Sequence, residues 1–511
     1  MHKLIRLSTL LLLATLVSRT AMAQDAPKPR VLTLDDAIRI AVQRNPTIGQ
    51  AEDRIVQSEA RVGQARAGNG IQISTGGAWA YSGPNPSFSI PDSTGKVRTI
   101  NLGSNRTRTG RITGTLPLDV AGKVRASTQV AKRGVNVSRF ELDRTANSLV
   151  LDVQTAYYNA LRAREFVRVA QESVTAAQEH RRIAQANFNE GNAPEFDVLR
   201  AAVQVSNLQQ TLVTAQTNTE QALVGLKQVL GLGPDEAIDV LPIPPTSASS
   251  AAPGTGAAPG APAPAVAPQP SPETPGAAQT APSGTPAAPP GPSDAPSPGS
   301  LVTSAPPLQL DVPALLQEAY RARPEVLQAD ENVRLAEASV RLERKGLRPD
   351  LALSGNYNFS PDSAGLSPVT ESWSVGATLS WPVFDSGLTR NRVKEALGSV
   401  SLAKDAREQV RQGIEADVRS SVLSLTDATQ RATTARANVV QAREALRIAR
   451  VRYENGVSTG VEVTDSEVAL TQAETNAVNA DFDVLVAQAG LDKALGRLLA
   501  VAKSAREGGR P

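Results

Sequence analysis

A mainly α-helical chain, made of two copies of one half that each add two strands to a small transmembrane β-barrel, is predicted by three observations. One sequence pattern recurs at a fixed offset, each copy contains one exceptionally long helix free of proline, and segments of period-two alternation precede that helix. Leu116-Pro117-Leu118-Asp119-Val120-Ala121-Gly122 aligns with Trp381-Pro382-Val383-Phe384-Asp385-Ser386-Gly387 at an offset of 265. The same offset carries Phe188-Asn189-Glu190-Gly191 onto Tyr453-Glu454-Asn455-Gly456, and Leu230-Gly231 onto Leu495-Gly496. Upstream, Ala41 to Pro46 matches Ala319 to Pro324 at 278, and the difference of 13 must fall in the strand region between.

The elements follow in order. Residues 1–23 read as an export signal: His2, Lys3 and Arg6 give the basic start, Leu7 to Val17 the apolar run and Ala21-Met22-Ala23 the cleavage site, so that Gln24 would begin the mature chain. The first repeat, 24–240, has a helical pattern from Leu34 to Ala67 and strands at about 71–82 and 106–117. The long helix Lys123 to Glu190, a tip turn at about 189–194 and the medium helix Glu195 to Val229 complete it. Residues 241–307 are Pro, Ala, Gly and Ser with almost no large apolar side chain, and so are expected to be a disordered linker. The second repeat, 308–500, has a helical pattern from Val312 to Lys345 and strands at about 350–360 and 372–383. Its long helix runs from Leu388 to Glu454 and its tip turn spans about 455–460; residues 501–511 read as a flexible tail.

Each long helix would reach roughly 100 Å at 1.5 Å per residue, far beyond the needs of a compact domain. Val393, Leu397, Val400, Ala403, Ala406, Val410 and Ile414 recur at coiled-coil spacing. The half-length helices before the strands and after the turn, stacked end to end, match one long helix and predict a wall two helices wide per repeat.

The strands alternate cleanly in three of four segments. Leu351, Leu353, Tyr357 and Phe359 share one face; Trp373, Val375, Ala377, Leu379 and Trp381 share another; and Ile71, Ile73, Trp79 and Tyr81 a third. All three Trp residues fall on apolar faces, so Trp79, Tyr81, Tyr357, Phe359, Trp373 and Trp381 are the candidate aromatic belt of a membrane barrel. The fourth strand places Arg108 on that face, which requires a membrane rim. Four strands leave open edges that hydrocarbon does not tolerate, so copies must combine to close a barrel. A soluble periplasmic coiled-coil scaffold with an ordinary amphipathic sheet is the alternative.

Other classes are excluded by composition. No later segment approaches the roughly 20 apolar residues of a helical span. The chain has no Cys and only His2 and His180, which removes disulfides, thiol chemistry, His-based triads and multi-histidine metal centres; no enzyme activity, metal or cofactor is expected. His180, beside Arg181 and Arg182, reads as a solvated side chain. The net charge of +3 comes without a concentrated basic patch, so no nucleic-acid partner is expected.

The motifs L-P-L-D-V-A-G-K and W-P-V-F-D-S-G-L after the strand pairs, and F-N-E-G-N-A-P-E-F-D-V-L and Y-E-N-G-V-S-T-G-V-E-V at the turns, resemble those of the TolC-like outer-membrane efflux proteins. The resemblance covers nearly the whole mature chain apart from the linker and the last dozen residues. It implies a homotrimer in outer-membrane lipid, with a 12-stranded barrel and a 12-helix periplasmic tunnel. Such a trimer passes substrates from an inner-membrane pump of RND or ABC type through a periplasmic adaptor, in drug efflux, metal efflux or type I protein secretion. It also implies an adaptor-docking tip at Gly191, Asn192, Ala193, Pro194, Gly456, Val457, Ser458 and Thr459. The pore aperture would be formed by Asp197, Tyr453, Glu462 and Asp465. Where some relatives carry an Arg two residues past the second tip glycine, this chain has Ser458, so that latch is absent or replaced.

Overall fold

Every principal element of the first half returns in the second. The computed structural model describes residues 30–83, 87–91, 93–101, 106–191, 193–241, 311–361 and 370–507. The export signal, Asn192 and the linker beyond Leu241 lie outside them. In chain order come β1 (Arg30–Leu32), α1 (Leu34–Arg44), α2 (Pro46–Ala67), β2 (Gln72–Tyr81), β3 (Ser87–Pro91), β4 (Val97–Asn101), β5 (Arg106–Leu118), α3 (Lys123–Asn189), α4 (Glu195–Leu230) and β6 (Ile238–Val240). The second half contains α5 (Val312–Ala322), α6 (Pro324–Glu343), β7 (Asp350–Phe359), β8 (Glu371–Ser380), α7 (Leu388–Glu454), α8 (Gly460–Leu495) and α9 (Leu498–Glu507).

The duplication holds to the residue in the helices. Both α3 and α7 have 67 residues, and both α4 and α8 have 36, at the offset of 265. The 13 extra residues lie between β2 and β5, where the antiparallel hairpin β3–β4 has no counterpart among the described residues between β7 and β8. Asp119 accepts from the backbone N–H of Val124 and Arg125 at 3.0 Å, and Asp385 accepts from Thr389 N–H at 2.7 Å. The two acids cap corresponding helices although the repeat alignment sets them one position apart.

The half-length helices do stack. In the half nearer the turns the contact order across the wall is α4, α3, α8, α7; nearer the strands it is α2, α3, α6, α7. The splice is the helix stop at Asn45-Pro46 meeting the end of α4: Asn45 Nδ2 donates to Val229 O at 2.7 Å while its Oδ1 caps α2 through Thr47 N–H. Gly231, in the left-handed region at φ 69°, ends α4 against this corner, and Gly496 at φ 78° does the same against Ala322 and Arg323. Of the predicted α7 seam, Val400 and Ile414 are buried whereas Leu397 is exposed. The free side of α7, with Leu402, Leu423 and Val440, and that of α4, with Leu199, Val203 and Val213, form apolar edges.

One added layer packs on α3. Leu142, Ala146, Leu149, Val153, Tyr157 and Ala160 form a seam that buries α1, β1, β6 and α9. The Tyr157 hydroxyl donates to Leu32 O or Leu241 O, each 3.1 Å away, at the point where the parallel pair β1–β6 ends. Residues 501–507, expected to be a flexible tail, instead belong to α9, because Leu498, Leu499 and Ala502 give it an apolar face to bury.

The four long strands form one antiparallel sheet in the order β2-β5-β7-β8. Its edges, β2 and β8, have no partner strand among the described residues. Thr75, Ile112, Tyr357 and Trp373 stand in one cross-strand row on the apolar face, and Ser74, Thr113, Asn356 and Ser374 in the next row on the polar face. Thr113 Oγ1 donates to Asn356 Oδ1, and Arg111 Nε to Asn358 Oδ1, both at 3.0 Å.

Candidate functional site: the apolar sheet face and the tip

The apolar sheet face is uncovered. Trp373 is 77% exposed and Trp79 71%, and Tyr81, Tyr357, Phe359 and Trp381 are exposed with them. The aromatics fall at two levels: Trp79 and Trp373 toward the loop ends, and Trp381 just past β8, where its indole N–H donates to Leu347 O at 3.1 Å. Trp373 and Trp381 are eight residues apart, roughly 26 Å along a strand, which matches the height of an apolar band flanked by aromatic girdles. Arg108 stands opposite Trp79 near the loop end of the sheet.

At the far end of the helices, Gly456 takes φ 68° and closes α7 with Gly456 N–H on Tyr453 O and Val457 N–H on Arg452 O. Gly191, at φ 77°, ends α3 in the same way, with its N–H on Phe188 O. Ala193, Pro194, Val457, Ser458 and Thr459 lie beside these glycines, with Pro194 and Thr459 at the N-terminal boundaries of α4 and α8 and no side-chain cap at either.

Two of the four predicted aperture residues, Asp197 and Tyr453, meet around one glycine. Gly460 at the start of α8 lies against Asp197 of α4 and the Tyr453 ring of α7, so that a Cβ there would be 3.5 Å from the Asp197 carboxylate. The Tyr453 hydroxyl is buried beside Asn187 and Asp197 without a well-formed hydrogen bond, and burial raises its pKa. Glu462 is bound by Arg452 at 2.7 Å, a bridge between α7 and α8 supplied from before the tip glycine instead of after it. Among the described residues, Ser458 makes only a long contact, 3.5 Å, to Thr459 O. Asp465, one turn further along α8, is exposed and has no ion pair among the described residues.

His180 corrects the sequence reading: it is buried, at 6% exposure, with its ring 5.6 Å from that of Tyr453. Arg181 and Arg182 point outward, whereas Ala177, His180 and Ala184 follow the inner seam of α3. Burial holds the imidazole below its ordinary value; Arg450 acts in the same sense, while Glu467 and Asp197 oppose it. Glu467 is itself buried and pairs with Arg450 at 2.8 Å. A histidine with a depressed native pKa binds fewer protons folded than unfolded. Its contribution to stability is therefore complete above the ordinary value of about 6.5 and is lost as pH falls below it. Hydrogen-exchange protection factors around His180 and Tyr453, corrected for the intrinsic pH dependence of exchange, are expected to fall between neutral pH and mild acid, and His180→Gln should flatten that dependence.

Among the described residues no group of three or more His, Cys, Asp or Glu is placed to hold a metal ion. The model of the outer membrane efflux protein family matches residues 37–232 and 315–497. Outer membrane protein OprJ of Pseudomonas aeruginosa is 28% identical over 200 residues, 37% of this chain and 40% of OprJ. Outer membrane protein TolC of Escherichia coli is 23% identical over 389 residues, 74% of this chain and 66% of TolC. The chain thus matches under half of OprJ and about two thirds of TolC. In fold it is similar to the Campylobacter jejuni CmeC outer membrane channel, with a TM-score of 0.63, 16% identity and coverage of 91% of this chain and 85% of that one. The doubled helical wall, the uncovered apolar sheet and the match across both halves lead to one assignment: the chain belongs to the outer membrane efflux protein family.

Proposed function

We infer that the protein is a passive exit duct in the outer membrane, assembled from three copies and fed by an inner-membrane pump through a periplasmic adaptor. The observation that carries this is the four-stranded sheet, apolar and uncovered on one face, polar on the other and open at both edges. Three such sheets give 12 strands, enough to hold a water-filled lumen, where two would be filled by side chains. The apolar edges of α7 and α4 then meet between neighbouring copies. The soluble scaffold fails on the same observation: Trp79, Trp373, Val375 and Leu379 would all face water.

The tip residues carry the other two roles. The turns around Gly191 and Gly456 form the adaptor-docking end, and Asp197, Tyr453, Glu462 and Asp465 form the aperture. Fractionation tests the placement. The full chain, expressed with its native N-terminus, should sediment with outer membranes, whereas recovery in the soluble periplasmic fraction contradicts it.

A further inference from the structure

We propose that the junction between helices and strands is a basic collar that binds phosphate-bearing headgroups of the periplasmic leaflet, with a groove between α2, α3 and α6 holding one anionic phospholipid. The sequence suggested no concentrated basic patch; folding produces one. Residues 61–72, 119–133, 341–350 and 385–394 meet at the junction and together hold 13 Lys or Arg against four acids. Three of the four acids have other duties: Asp119 and Asp385 cap helices, and Asp350 pairs with Lys123 at 2.6 Å. The whole chain carries only +3, so this excess of nine cations is offset by acids elsewhere.

The groove, of about 820 Å³, is lined by Arg66, Lys132, Arg133, Arg139, Arg341 and Glu59 among others. Glu59 is bound by Arg139 at 3.2 Å, and Arg133 is occupied by the buried Glu331 at 2.9 Å. Arg66, Lys132 and Arg341 have no ion pair among the described residues, so three exposed cations converge on one cavity. Arg66 and Arg341 lie in the last turns of α2 and α6, and Lys132 is nine residues into α3, roughly 13 Å from its start. That depth is the headgroup zone beneath an apolar band that ends near Trp381.

The groove also faces outward. Its floor, Val135, continues the α3 seam of Leu142, Ala146 and Leu149 on which the α1, β1 and β6 layer packs. A wall closed into a duct can carry that layer only outside, since on the inside the copies would fill the passage. Each Lys or Arg near an anionic leaflet contributes about 1 kcal/mol of attraction.

The proposal rests on the outer-membrane placement above, and the test separates the two. Full-length protein is reconstituted in nanodiscs of equal parts phosphatidylethanolamine and phosphatidylglycerol, and retained lipid is measured by native mass spectrometry beside single-channel conductance. Wild type should retain phosphatidylglycerol preferentially and lose it in high salt, a readout that needs no variant. Arg66→Gln/Lys132→Gln/Arg341→Gln should lower the enrichment about tenfold with conductance unchanged. Absence of enrichment on wild type, its persistence in the triple variant, or displacement by inorganic phosphate alone overturns the lipid site. Enrichment without conductance supports the lipid site and counts against the duct.

Discussion

Replacing Gly231 by alanine is expected to destabilise the protein by about 3–4 kcal/mol, whereas the same change at Gly456 costs about 1 kcal/mol. Both glycines sit at nearly the same positive φ, 69° and 68°. The difference is their surroundings. A Cβ at Gly231 would lie 2.8 Å from Arg44 O and 3.0 Å from its carbonyl carbon, and backbone at a helix splice cannot yield as a side chain can. At Gly456 nothing lies within 4 Å. Gly496, with its nearest backbone atoms at 3.0–3.1 Å, should fall between them. Unfolding of the three variants in detergent, followed by circular dichroism, checks the order; equal losses would show that φ alone decides and that the splice is not tight.

Asp465→Asn is expected to reduce the cation preference of the assembled channel by roughly three- to tenfold, and Glu462→Gln by clearly less. The carboxylate of Glu462 is already compensated by Arg452, so its charge is partly spent on joining α7 to α8. Asp465 is exposed and unpaired among the described residues, and copies of it around a narrow passage would act as a ring of fixed charge. Glu462→Gln should instead loosen the tip, raising open-channel conductance. Reversal potentials under a salt gradient separate the two effects; equal shifts in selectivity would remove the distinction between ring and latch.

Much of this fold was legible because its signals are local and doubled. The long helices announce themselves by the absence of Pro, their ends by Gly191 and Gly456, and the strands by period two. What escaped depends on partners distant in sequence. The three-residue β1 and β6 pair only because α3 brings them together, and no three-residue segment signals a strand alone. The hairpin β3–β4 was visible only as 13 surplus residues. Helix α9 follows Gly496, a strong stop signal, and owes its order to the apolar face it lays on α1 and α3.

The site was read less completely. Asp197 and Tyr453 meet at Gly460, whereas Glu462 turns to Arg452, which lies ahead of the turn motif and carries no local signal. The burial of His180 was available in the spacing Ala177, His180, Ala184, which outweighs its charged neighbours. The basic collar could not be seen along the chain, since its cations are dispersed over four segments whose separate charges look ordinary.

Planar-bilayer recording on protein purified from outer membranes tests the central claim most directly. Stepwise, cation-preferring conductance from particles of three chains is the expected result. Particles of single chains, or bilayers that stay silent at any protein concentration, would contradict a duct closed by copies of this sheet.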